Sequence, residues 1–240
     1  MRIKIIRLLS GLMPDFLRSF LRKLGLNEGL NKMIDKSEGE IIFQSAWVGK
    51  FKDNKDKVLK YWQDYLYLNK IKKTCQFTPQ IKVLDVGCGI SSVLHFIKGE
   101  RYGIDPLADE YLKMYDYPQG ISIQKGVGEK LPFRDGFFDV AFCTNVLDHT
   151  DDPMAVVGEI SRVLKKGGYF ILAIHIFNSN FKRDPAHPHT FTREDVYSLI
   201  GGRFKPVFQK VSSAVGFYDY VLKGVRKSKN MELVLILKML

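Results

Sequence analysis

The chain has 240 residues and a formal charge of +11, the size of one domain with an appendage. At 45% hydrophobic, 26% charged and 12% aromatic residues, it has the means to bury a core, which excludes disorder of the whole chain. Its longest stretch free of charge, Gly167–Phe181, has 15 residues and is broken by polar groups, which excludes a bilayer span of roughly 20 apolar residues. An amphipathic stripe opens the chain: Met13, Phe16, Leu17, Phe20, Leu21 and Leu24 recur at helical steps, with Arg18, Arg22 and Lys23 on the other face. Arg7 interrupts the apolar start and no small-residue cleavage pattern follows, so the segment does not read as a secretory signal. Residues 27–57 are mixed and polar, a linker or lid, and a helix is expected through Val58–Lys72.

From residue 81 strands alternate with helices. Ile81–Val86 is a short apolar strand followed by a helix over Ser91–Ile97, and Tyr102–Ile104 is a second strand followed by a helix over Leu107–Tyr115. Ile121–Gln124 and Phe138–Cys143 are the third and fourth strands; Pro153 starts a helix to Leu164 that Gly167-Gly168 should stop. Tyr169–Ile176 is almost continuously apolar, as a parallel strand covered on both faces should be. A helix near Arg193–Ile200 follows, and Lys205–Val211 with Tyr218–Val225 read as a closing antiparallel pair. This alternation predicts βαβ units in a doubly wound α/β sheet. The expected division is a basic helical extension or cap over 1–78, a main domain over 79–226 and a tail over 227–240.

Charge is unevenly spread: residues 1–80 carry 16 basic against 8 acidic side chains, 81–175 carry 10 against 13, and 176–240 carry 11 against 5. A slightly acidic centre therefore lies between two basic ends. Cys75, Cys88 and Cys143 make neither an even disulfide framework nor a metal spacing, so a reducing, cytoplasmic setting is expected.

Ligands of such sheets bind at the carboxyl ends of the strands. Gly87 and Gly89 clear side chains from the first turn, and Asp105, at the end of the second strand, suits a ribose diol. A dinucleotide or a sulfonium nucleoside could satisfy that pair. Gly87-Cys88-Gly89-Ile90-Ser91-Ser92 lacks the third glycine of a pyrophosphate loop, and the preceding Asp85 suits a cation better than a pyrophosphate. The reading moves to S-adenosylmethionine.

Six segments then stand in order: Val83–Gly89, Tyr102–Asp105, Gly128–Phe133, Phe138–Val140, Asn145–His149 and Arg162–Gly168. They resemble the successive motifs of class I S-adenosylmethionine-dependent methyltransferases, in the type 11 branch typified by ubiquinone and menaquinone biosynthesis, over about residues 80–175. The resemblance implies a Rossmann-like seven-stranded sheet, mostly parallel with an antiparallel closing strand. It implies a loop of Asp85, Gly87, Cys88 and Gly89 around the methionine part of the donor, with Asp105 and Pro106 at the ribose. Gly128 and Glu129 would flank adenine, and Asn145 would lie beside the methionine end. Val127 stands where the family often has Asp, and Ser91 where it has a third glycine.

Asp148, Asp151 and Asp152 precede Pro153 and read as helix capping rather than a metal cluster. No metal is expected, because the His-x-His of His187 and His189 lacks a third ligand in sequence. If the acceptor is a hydroxyl, His149 or His189 is the candidate base; His175 also ends a strand on the ligand edge, whereas His95 faces structure. The acceptor is expected to be a small molecule, sugar or lipid, anionic or lipid-linked, with peripheral membrane contact through residues 1–25. Two other readings stand beside this one: a nucleic-acid methyltransferase or binder, for which no base-methylation motif is found, and a non-catalytic methyltransferase-like protein.

Overall fold

The computed structural model describes residues 40–41, 44–45, 47–49, 54–181, 187–213, 215, 224 and 231–240. Among these, seven strands form one sheet: β1 Lys82–Val86, β2 Glu100–Asp105, β3 Ile121–Lys125, β4 Phe138–Thr144, β5 Leu164–Ile176, β6 Phe204–Ser213 and β7 Met231–Met239. Their spatial order is β3-β2-β1-β4-β5-β7-β6. The first five are parallel, and β7 runs antiparallel to both β5 and β6. Besides a helical segment at the described positions of 40–49, the helices among the described residues are α1 Lys55–Tyr65, α2 Leu68–Cys75, α3 Ala108–Met114, α4 Pro153–Val163 and α5 Arg193–Ile200.

Strand alternation sorts the core into two layers. Val83, Val140, Phe142, Ile171, Ala173, Val234 and Ile236 face one side, where Val58, Tyr61, Trp62, Leu66, Leu68 and Ile71 of the α1–α2 region cover them. Leu84, Val86, Ala141, Cys143, Phe170, Leu172 and Ile174 face the other, covered by Val156, Val157, Ile160 and Val163 of α4 and Val196 and Ile200 of α5. With both faces covered, the central strands need continuous apolar runs.

β7 corrects the expected domain end. Residues 227–240 were read as a tail, yet Leu233–Leu237 are fully buried and the strand pairs with β5 and β6 along its length. The main unit therefore reaches Met239, past the expected limit at 226. The expected partner strand Tyr218–Val225 lies outside the described residues apart from Gly224, as does the stripe Met13–Leu24. Three helix expectations change as well. Val58–Lys72 is two helices, broken at Tyr67, whose backbone is left-handed (φ 52) and whose ring packs on Phe208 of β6. Ser91–Ile97 is only a 3-10 turn, Val93–Phe96, because the Ser92 hydroxyl accepts from the Leu94 amide while donating to Asp85. The helix from Pro153 ends at Val163 without the glycine pair, which lies inside β5.

Candidate active site

The turn after β1 is built by its glycines and tied down from four directions. Gly87 and Gly89 are both left-handed, at φ 70 and φ 52. A Cβ on Gly87 would lie 2.4 Å from a Val146 methyl, and one on Gly89 would lie 2.7 Å from Gln44 Nε2. The Gly89 amide donates to Asp105 Oδ2 (3.1 Å), the Ile90 amide to Gln44 Oε1 (3.0 Å), the Tyr117 hydroxyl to the Gly89 carbonyl (2.9 Å), and Trp62 Nε1 to the Ser91 carbonyl (3.2 Å). Gln44 belongs to a segment helical at every described position from 40 to 49 and is steadied by Glu40 at 2.8 Å. His95 bonds the Ile90 carbonyl and stacks on Tyr117, a structural position as expected.

Two buried carboxylates face this loop. Asp85 Oδ2 accepts the Ser92 hydroxyl at 2.6 Å, while its Oδ1 is buried without a hydrogen-bond partner. Burial, reinforced by the charge of Asp105, pushes the Asp85 pKa up to about 7 against the pull of the Ser92 bond. Asp105 is also raised by burial, opposed by its bonds to the Leu107 and Gly89 amides and to Tyr111. Burial opposes the charge of both groups and hydrogen bonds alone favour it, so a nearby cation would stabilise their ionised forms and a pyrophosphate would not.

The remaining expected residues divide. Pro106 is exposed at the turn after β2. The Cys88 side chain points inward: a Cβ on Gly103 of β2 would lie 2.8 Å from its Sγ, so only its backbone can face a ligand. Gly128 is buried where a Cβ would crowd Val156 and Val86 at 3.0–3.1 Å. Glu129 Oε1 accepts the amides of Asp151 and Asp152 at 3.0 and 3.4 Å, which makes it a clamp on the turn before α4. Arg162 of α4 fixes the neighbouring loop by donating to the carbonyls of Leu131 and Phe133 and to Asp135 and Glu159. Asn145 is exposed and left-handed (φ 57), with its amide on the Ala173 carbonyl at 2.8 Å.

Beyond β4 the histidines separate. His149 Nε2 lies 3.8 Å from Asp148 Oδ1, and its ring centroid is 4.3 Å from that of His187. His189 is turned away, its Nε2 on the Thr150 carbonyl at 3.0 Å. His175 pairs with the fully buried Glu232 of β7 at 3.1 Å. The capping expectation holds for Asp152, which accepts the Met154 and Ala155 amides at 3.0 Å, but not for Asp148, which is buried beside His149. Sequence reasoning missed Gln44, Tyr111, Tyr117 and Glu232; a buried Glu in an apolar strand was the one signal available. A depression of about 440 Å³ lined by Cys75, Thr78, Asp139 and Lys165 lies at the opposite, amino-terminal edge of the strands, away from every one of these groups.

The comparisons with known proteins agree with this geometry. Residues 84–172 match the family described as a methyltransferase domain. That match spans well under half of the chain and runs from β1 into β5, with the turns between them. The chain is 31% identical over 134 residues to the uncharacterized methyltransferase YcgJ of Bacillus subtilis, covering 48% of this chain and 53% of that protein. It is 26% identical to the ubiquinone biosynthesis O-methyltransferase of Bordetella bronchiseptica, covering 66% of this chain and 63% of that one. The chain thus spans between half and two thirds of these relatives. Among solved structures, the [4+2]-cyclase SpnF superposes with a TM-score of 0.56 at 16% identity, covering 71% of this chain and 78% of that chain, a likeness of fold.

Proposed function

We propose that the protein transfers the methyl group of S-adenosylmethionine to an oxygen of a small-molecule, sugar or lipid-type acceptor. The observation that carries the reading is the pair of buried carboxylates beside a glycine turn: Asp85 has an orphan oxygen and a raised pKa, and Asp105 sits at the end of β2. A sulfonium nucleoside with an ammonium group supplies the cation such a site requires, and the left-handed glycines leave room for it along the backbone. When bound, this donor supplies a methyl group activated by the positive sulfur.

In this reading the loop Gly87–Gly89 and Asp85 hold the methionine part, with the Cys88 backbone and Asn145 at its edge. Asp105 and Pro106 flank the ribose. Gly128 and Glu129 border the adenine, where the exposed Val127 offers a hydrophobic face. Gln44 and Trp62 close the loop from the other side, and exclusion of water together with alignment of the two reactants is the main work of such a fold. His149 is the group that meets the acceptor oxygen, since His189 is committed to the Thr150 carbonyl. Support for oxygen as the acceptor atom comes from relatives named O-methyltransferases, such as the Bordetella protein.

Calorimetric titration with S-adenosylmethionine and S-adenosylhomocysteine, followed by an acceptor screen with labelled methyl donor, tests the proposal. Both nucleosides should bind, and His149→Ala should keep donor binding while losing turnover. Absence of binding by either sinks the enzyme reading in favour of a non-catalytic relative; full turnover in His149→Ala removes that residue from the reaction.

A further inference from the structure

We propose that Asp148, His149 and His187 form a binding site for a divalent transition-metal ion at the acceptor edge of the sheet. In the sequence the only His-x-His spacing joins His187 to His189, and two ligands make no site. The fold makes a different set. Asp148 and His149 come from the short 3-10 turn Leu147–His149 after β4, and His187 comes from the loop after β5. One ligand atom from each of the three lies within 4.8 Å of the others.

Chemistry and surroundings both favour an ion. Tetrahedral coordination at metal–nitrogen distances of about 2.0–2.1 Å sets ligand atoms about 3.4 Å apart, so a closing movement of about 1 Å completes the geometry. Two imidazoles and one carboxylate suit zinc, cobalt, nickel or iron, whereas magnesium and calcium prefer oxygen alone. Three protein ligands leave a position for an exogenous oxygen. The site is also held in place. His189 ties the loop to the turn through the Thr150 carbonyl at 3.0 Å, the Thr150 hydroxyl donates to the Leu147 carbonyl at 2.9 Å, and Glu129 holds the Asp151 amide at 3.0 Å. Such outer contacts are what fix metal ligands in orientation. Asp148 is 2% exposed while the His149 side chain is 30% exposed, which gives a buried anchor and a path of entry.

The consequence rests on the methyltransferase reading. A hydroxyl acceptor bound to the ion through its oxygen loses its proton more readily, and the oxygen's lone pair then forms the new bond to carbon as the carbon–sulfur bond breaks. The proton leaves to solvent, and no redox step is involved. His149 then meets the acceptor through the metal.

The test is direct binding of Co²⁺ and Zn²⁺ to the full, tag-free chain, read by calorimetry and by the ligand-field absorption of Co²⁺. The wild-type chain should take up one ion, and His187→Ala and Asp148→Asn should each weaken binding by roughly 100-fold or more. His189→Gln, whose side-chain amide can still donate to the Thr150 carbonyl, should weaken binding far less than loss of a ligand. Lack of stoichiometric uptake by the wild type would overturn the proposal. So would loss of binding in His189→Gln with retention in His149→Asn, which assigns the ion to the His-x-His pair. Should Asp148→Asn fail to fold, the half-buried His187 carries the test alone. S-adenosylhomocysteine binding measured on the same samples reports the donor site separately, so failure of the metal site and failure of the methyltransferase reading are distinguishable.

Discussion

Replacing Asp85 by Asn should abolish the pH dependence of donor binding that the proposed donor site implies. Burial raises the Asp85 pKa to about 7, so near neutral pH the free protein holds the group half protonated. A cationic donor selects the ionised form, and binding below that value must expel a proton. If the bound carboxylate returns to its ordinary range near 4, affinity at pH 6 is weaker than at pH 8 by about tenfold, or ~1.4 kcal/mol. Titrations at pH 6 in two buffers of different ionisation enthalpy should report close to one proton released per donor. Folding senses the same group with a definite sign. The folded pKa is raised above the unfolded one, so the stabilising contribution is full below about 4 and is lost as pH rises through about 7, an effect of up to about 4 kcal/mol. Asp85→Asn should flatten both profiles. Identical affinity slopes in wild type and Asp85→Asn, or heats independent of buffer, would refute the assignment of a cation to this carboxylate.

Gly87→Ala should cost about 3 kcal/mol in urea unfolding, since φ 70 disfavours a side chain and its Cβ would press on Val146 at 2.4 Å; Val146→Ala in the same chain should recover part of the loss. His175→Ala removes the imidazole 3.1 Å from the fully buried Glu232, leaves Tyr65 as its neighbour, and should destabilise by about 3 kcal/mol. The double variant with Glu232→Gln should be more stable than His175→Ala alone, and equal stabilities would show that the buried carboxyl is not the cause. Removing residues 1–25 should weaken binding to anionic vesicles in co-sedimentation, and binding equal to that of the full chain would reduce the basic N-terminal stripe to a solubility feature.

The parallel half of the fold was legible because each strand ends in a chemically pointed turn. Asp85, Gly87, Gly89 and Asp105 sit together as their spacing implied, and Asp152 caps α4 as its place before Pro153 implied. What stayed hidden depends on contacts between residues far apart in the chain. Gln44 lies 46 positions before the Ile90 amide it accepts, and His187 meets His149 only because β4 and β5 are neighbours. The misreading of β7 has a local cause. The run Arg226, Lys227, Lys229 has the composition of a charged tail, whereas Leu233–Leu237 behind it is unbroken apolar, the character of a strand covered on both faces. The turn at Val93–Phe96 was taken for a helix because sequence could not show that Ser92 divides its hydroxyl between Leu94 and Asp85.

The two halves of the site differ in charge in the way the proposed reaction needs. Residues 81–175 carry more acids than bases, and the two acids that matter, Asp85 and Asp105, are buried where hydrogen bonds are all that favour their ionisation. A cationic donor relieves that cost on binding, which ties affinity for the donor to its sulfonium and ammonium charges rather than to apolar area. The excess of Lys and Arg lies in residues 1–80 and 176–240, outside the matched domain. Residues from the first of these segments nevertheless brace the glycine turn proposed to hold the donor: Gln44 accepts the Ile90 amide and Trp62 donates to the Ser91 carbonyl. An acceptor held by the basic segments would therefore bear on the same elements that close the donor loop. Donor and acceptor binding should then be coupled, each strengthening the other by the same factor, as linkage demands. A donor affinity unchanged by a saturating true acceptor would separate the cap from the acceptor site.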